Sequence, residues 1–135
     1  MTESKVVDSW AILAWLLDQP AAHKVEVVLQ SAAAGDLNLV MSWMNVAEVY
    51  YIAVRRFGAE GAEEFLRRLP SLPIRVVLPD KDGVLAAARI KAAHPIAFCD
   101  AFAIALAQSE QASVITGDDE IRRCKVVPVD WIGRD

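Results

Sequence analysis

Apolar residues in this chain fall into two alternating patterns: short runs rich in β-branched residues, and longer stretches at helical spacing. Val6-Val7 reads as a short buried strand, and Leu37-Asn38-Leu39-Val40-Met41 as a second, with Ser42 at its end. Ile74-Arg75-Val76-Val77-Leu78, bounded by Pro73 and Pro79, is a third, and Ser113 to Thr116 a fourth. Val126-Val127-Pro128-Val129 is a last short strand. Proline has no N–H to give a ladder, so Pro128 sends that strand to an edge.

Between these runs the spacing predicts helices. Ser9 is placed to cap a helix from Trp10 to Leu17. A second begins at Pro20 and runs through about Ala34, with Val25, Val28, Leu29 and Ala32 on one face and Gly35-Asp36 as its stop. A third spans about Met44 to Phe57 and is closed by Gly58; another runs from Glu60 to Leu69 and stops before Pro70. Asp80 to Ala93 is helical until His94-Pro95 breaks it. Phe98 to Gln111 is apolar on nearly every side, as a helix in the middle of a domain should be.

Strands alternating with helices, in runs that are apolar throughout, predict an α/β fold with a mainly parallel sheet covered by helices on both faces. The expected organisation is a single domain over residues 1–135, without internal repeats or linkers. Hydrophobic residues make up 55% of the chain and the mean hydropathy is +0.29. No stretch of about 20 apolar residues accompanies this, so no membrane span is expected. The first five residues lack the basic head and cleavage site of a signal peptide. Cys99 and Cys124 have no zinc-like spacing, and a reduced cytoplasmic setting fits them. The excess apolar content suits a deep core plus an interaction surface.

Four acids stand where packing gives no reason for a charge. Asp8 closes Lys5-Val6-Val7, and Glu48 interrupts Met44 to Tyr51. Asp100 has four apolar residues before it and five after it, and Asp118 ends Ser113-Val114-Ile115-Thr116-Gly117. Carboxylates are almost never buried unless paired or bound to a metal. Asp8 and Asp118 fall at the carboxyl ends of strands, where parallel sheets gather their sites. Asp100 lies near a helix N-terminus, which favours a carboxylate. Asn45 and Glu48 are three apart and share a helical face. All four acids can face one pocket, and oxygen ligands without His or Cys point to Mg²⁺ or Mn²⁺. Such a site suits phosphodiester hydrolysis. The net charge of −4 argues against a generic nucleic-acid binder, but setting the four acids aside brings it to 0.

The succession Val6-Val7-Asp8-Ser9, Asn45-Val46-Ala47-Glu48, Asp100-Ala101-Phe102-Ala103-Ile104-Ala105 and Thr116-Gly117-Asp118 resembles a PIN-domain ribonuclease, and within that family the VapC-type toxins of toxin–antitoxin pairs. The resemblance covers Val6 to about Val129. It implies a metal-dependent endoribonuclease acting on RNA, a homodimer, and a separately encoded antitoxin. It makes Asp8, Glu48, Asp100 and Asp118 the catalytic, metal-binding acids, with Thr116, Asn45 and Ser9 in supporting places. Many relatives carry a second Asp two residues past the last acid, followed by an aromatic residue. Glu120 and Ile121 stand there, so Glu120 is at most a further supporting acid, and this departure touches the second metal site.

Arg122, Arg123 and Lys125 are candidate contacts for RNA phosphates, against a solvated basic turn. Trp10 and Trp43 read as packing or antitoxin contacts before base stacking, and Trp15 or Tyr51 as exposed aromatics for an antitoxin helix. Cys99 reads as a small buried thiol. Two other functions share the pattern: a catalytically silent PIN-fold binding module, and an RNA-processing nuclease that is no toxin. A phosphotransfer enzyme with Asp8 as nucleophile would want an acid where Trp10 stands.

Overall fold

The computed structural model describes residues 2–134. Five strands, β1 (Ser4–Val7), β2 (Asn38–Ser42), β3 (Ile74–Val77), β4 (Ser113–Thr116) and β5 (Val129–Trp131), form one sheet in the order β3-β2-β1-β4-β5. Every neighbouring pair is parallel. Parallel neighbours require crossovers long enough to return the chain, and helices supply them.

The register explains the two cores. Val6 stands opposite Val40 on β2 and Val114 on β4. Side chains alternate across a strand, so these three valines face one side while Val7, Leu39, Met41 and Ile115 face the other. The second face packs on α1 (Ser9–Leu16), α2 (Ala22–Ala33) and α3 (Trp43–Arg68) through Ile12, Val25, Val49 and Phe65. The first packs on α4 (Lys81–Ala93), α5 (Phe98–Glu110) and α6 (Asp119–Cys124) through Ala87, Ile104 and Ile121. Helix α5 crosses the middle of the sheet and is buried from Asp100 through Ala105, as its apolar sequence predicts.

The two helices expected on either side of Gly58 form one element, α3, broken at that residue. Gly58 has φ 80° and ψ 174°, a conformation open to glycine and strained for other residues. Three expectations are corrected. The cap of α1 is Asp8 and not Ser9: the Asp8 backbone is extended and its carboxylate accepts from the Ala11 N–H, while Ser9 is already in the helix. The last strand pairs from Val129 to Trp131, three residues beyond where the apolar run begins, although it is an edge strand as expected. Helix α6 lies between β4 and β5, where no helix was predicted. No helix among the described residues is long and apolar enough to cross a membrane.

Candidate functional site

From β1 the chain leaves toward one face of the sheet, and from its neighbour β4 toward the other. This opens a crevice at the carboxyl ends of the two strands, the place where such sheets hold ligands. Asp8 immediately follows β1, and Asp118 follows β4 after one glycine. Gly117 is needed there: a Cβ on it would lie 2.3 Å from the Trp10 ring. The indole is pressed onto the backbone that carries Asp118.

Asp8 is buried, and its Oδ1 accepts the Ala11 N–H at 2.9 Å. Its Oδ2 is buried with no hydrogen-bond partner. Burial pushes the carboxyl from 3.8 up to about 7; Thr116 and the Ala11 N–H oppose the shift, and the Asp118 and Glu48 charges add to it. Asp100, in the first turn of α5, is 7% exposed and also has a buried Oδ2 with no partner. Burial raises it to about 8, reinforced by the charges of Asp118, Asp8, Glu48 and Glu120. All five acids therefore act on one small volume.

Asp118 caps α6, its Oδ1 accepting the Glu120 N–H at 2.8 Å. Its own N–H donates to the Thr116 hydroxyl at 2.9 Å, so Thr116 fixes the loop that aims Asp118. Carboxylate oxygens of Asp100, Asp118 and Glu120 lie within 4.8 Å of one another. Asp8 and Glu48 stand outside that trio but within electrostatic reach of it. Glu120, given only a supporting place by its sequence position, brings its carboxylate into this trio. The signal for this was α6 itself, whose first turn is acidic (Asp119, Glu120) and last turn basic (Arg122, Arg123), the charge order that suits a helix dipole.

A polar network ties three helices together beneath the acids. Asn45, fully buried at the start of α3, donates through Nδ2 to the Ser9 hydroxyl at 3.0 Å and to the Cys99 carbonyl at 3.1 Å. The Ser9 hydroxyl returns a bond to the Asn45 carbonyl at 3.2 Å. Ser9 follows Asp8, Cys99 precedes Asp100, and Glu48 lies one turn beyond Asn45. Asn45 thus holds the elements of three acids in register. The Cys99 thiol is pushed up to about 11 by burial and by Glu48 and Asp100, which leaves it protonated and inert.

Among the described residues no Lys or Arg forms an ion pair with any of the five acids, although other acids of the chain are paired. Two buried carboxylate oxygens without partners, amid negative charge and oxygen donors only, are costly unless a positive charge compensates them. The same donor set suits a hard divalent cation.

The two arginines after Asp118 are engaged away from the crevice. Arg122 and Arg123 both pair with Asp119, and Arg122 stacks on the Trp131 ring with 3.8 Å to its centroid. Lys125 is exposed, in the left-handed position that ends α6. Trp15 is not an exposed aromatic: it packs against the core and donates through Nε1 to Glu26 at 2.8 Å. Trp43 and Tyr51 are exposed.

The fold is shared with solved toxin structures. The sarcin-ricin loop cleaving toxin VapC20 of Mycobacterium tuberculosis is similar over 90% of this chain and 95% of its own, with a TM-score of 0.73 and 16% identity. DNA-bound VapBC of Salmonella typhimurium gives 0.71 at 15% identity, covering 96% of this chain and 98% of that one. A toxin–antitoxin complex from Klebsiella pneumoniae gives 0.64 at 14% identity, covering 91% and 94%. No curated protein matches the sequence. The PIN domain family model matches residues 5–127, a span that holds all but the first residue of strands β1 to β4 and all five acids. On that match, and with the site lying where the fold opens, the chain belongs to the PIN domain family.

Proposed function

We propose that this protein is a divalent-cation-dependent endoribonuclease, the toxin of a VapC-type toxin–antitoxin pair. The observation that carries the reading is the pair of buried, unpartnered oxygens, Asp8 Oδ2 and Asp100 Oδ2, in a crevice whose acids pair with no cationic side chain among the described residues. Asp100, Asp118 and Glu120 would hold Mg²⁺ or Mn²⁺ together with Asp8, and Glu48 would complete the negative field. A divalent cation there supplies Lewis acidity toward a phosphodiester and toward water.

The chain's own residues supply the rest. Thr116 holds the Asp118 loop through its hydroxyl, and Asn45 locks α1, α3 and α5 so that the acids cannot relax apart. Burial keeps Asp8 and Asp100 poised between protonation states near neutral pH, so they ionise readily once positive charge is present. RNA as substrate, a cytoplasmic setting, a homodimer and a separately encoded antitoxin belong to the same reading, supported by family membership and by the toxin structures that share the fold.

Expression in bacterial cells with sequencing of RNA 5′ ends tests this. The wild type should arrest growth and create discrete new ends, and Asp100→Asn, at similar protein levels, should do neither. Cleavage without growth arrest would instead favour a processing nuclease, and equal cleavage by the variant would refute the site.

A further inference from the structure

Behind the loop that carries Asp118 lies a second cavity, of about 670 Å³, which the acidic crevice does not use. Its walls include the indoles of Trp10 and Trp131, each half-buried, and Gly117 of the loop that bears Asp118. Trp10 is two residues beyond Asp8, and Gly117 and Asp119 flank Asp118. The cavity and the crevice therefore share a wall. Trp10 is pressed on Gly117, and Trp131 is fixed by the Arg122 guanidinium on its ring and by its Nε1, which donates to the Arg134 carbonyl at 3.2 Å. Both indoles are held in place at the cavity wall.

The charge around this cavity is opposite to that of the chain. Lys24, Arg122 and Arg134 line it against one carboxylate, Asp119, in a protein of net charge −4. Rigid aromatic surface with cations at the margin is how proteins hold single-stranded nucleic acid: bases stack on the rings, and the cations meet the backbone. A cavity of this volume falls within the usual range for small-ligand sites and exceeds what one nucleobase needs.

We propose that this cavity is a nucleotide subsite that receives one unpaired base of the RNA strand, next to the phosphate cleaved at the acids. Trp10 and Trp131 provide the stacking surface, and Lys24 and Arg134 meet the adjoining phosphates. The subsite rests on the nuclease reading for its role, but not for its binding. It makes Trp131 a base-contacting residue and Lys24 a residue that positions the strand through its phosphates, and it favours a strand whose base is free to leave its stack.

Binding and cleavage test it separately. Tryptophan fluorescence is followed in EDTA while short single-stranded oligoribonucleotides, such as tetrauridylate and tetraadenylate, are titrated. Saturable quenching is expected, reduced at least fivefold in apparent affinity by Trp131→Ala and by the exposed-rim change Lys24→Glu, and largely restored in Trp131→Phe. In metal-containing cleavage assays the same variants should raise KM with kcat nearly unchanged, circular dichroism confirming that they fold. Quenching and KM that both ignore Trp131→Ala and Lys24→Glu would overturn the subsite while leaving the nuclease reading intact. Quenching lost in these variants, in a protein that cuts no RNA, would support the subsite and refute the nuclease. No quenching and no cleavage would refute both.

Discussion

Replacing Asp8 by Asn should make the metal-free protein more stable at alkaline pH while destroying its function. Asp8 is fully buried, and its pKa stands at about 7 against the ordinary 3.8. A group whose folded pKa is raised holds its proton more tightly in the native state. Its contribution is therefore complete below pH 3.8, declines as pH rises, and is gone above about 7. At 1.36 kcal/mol per pH unit, the interval corresponds to roughly 4 kcal/mol lost by pH 8.5, as an upper figure. Asparagine removes the charge and still accepts the Ala11 N–H, so the cap of α1 survives. Its amide replaces an oxygen that has no partner, which costs about 1–3 kcal/mol. The net expectation is a variant about 1–3 kcal/mol more stable than wild type at pH 8.5, with no advantage near pH 5. Urea unfolding in EDTA at the two pH values measures this. Adding Mn²⁺ should then raise the wild type and leave the variant almost unmoved. A variant less stable than wild type at pH 8.5, or a difference that ignores pH, would refute the claim that Asp8 carries an uncompensated buried charge.

Other expectations follow from the same geometry. Glu120→Gln should weaken Mn²⁺ binding by about tenfold in calorimetry, on the scale of one charge-assisted contact, while Asp119→Asn should change it little. Gly117→Ala should cost about 1–3 kcal/mol in thermal unfolding and most of the activity, because its methyl group would overlap the Trp10 ring and one of the two must move. Mn²⁺ affinity should rise steeply from pH 6 to pH 8, since Asp8 and Asp100 must lose protons from pKa values of about 7 and 8, and binding should release protons to the buffer.

Much of this was legible in the chain. Val6-Val7-Asp8 announces itself because an acid ends a run with no polar face, and Asp100 because α5 is apolar all round. Gly58 marked the break in α3, since no other residue takes φ 80° without strain. What escaped was short or depended on tertiary contact. Helix α6 has six residues with only Ile121 buried, so no periodicity can show. The last strand was placed three residues too early because Asp130 and Trp131 look like loop residues. Asp130 is held by Lys5, a partner 125 residues away. Ser9 looked like a cap because its hydroxyl can serve as one, but the Asp8 carboxylate reached Ala11 first and left Ser9 free for Asn45. Lys24 and Arg134 gave no sign at all, since only the fold brings them beside Trp10 and Trp131.

The central claim is that these acids hold a cation and cut RNA. It is tested most directly by incubating the purified protein with a structured RNA in Mg²⁺, in Mn²⁺ and in EDTA, and comparing Asp8→Asn. Discrete internal cleavage in either metal, absent in EDTA and absent in the variant, is the predicted result. Cleavage that persists in EDTA, or that the variant performs as well as the wild type, would contradict it.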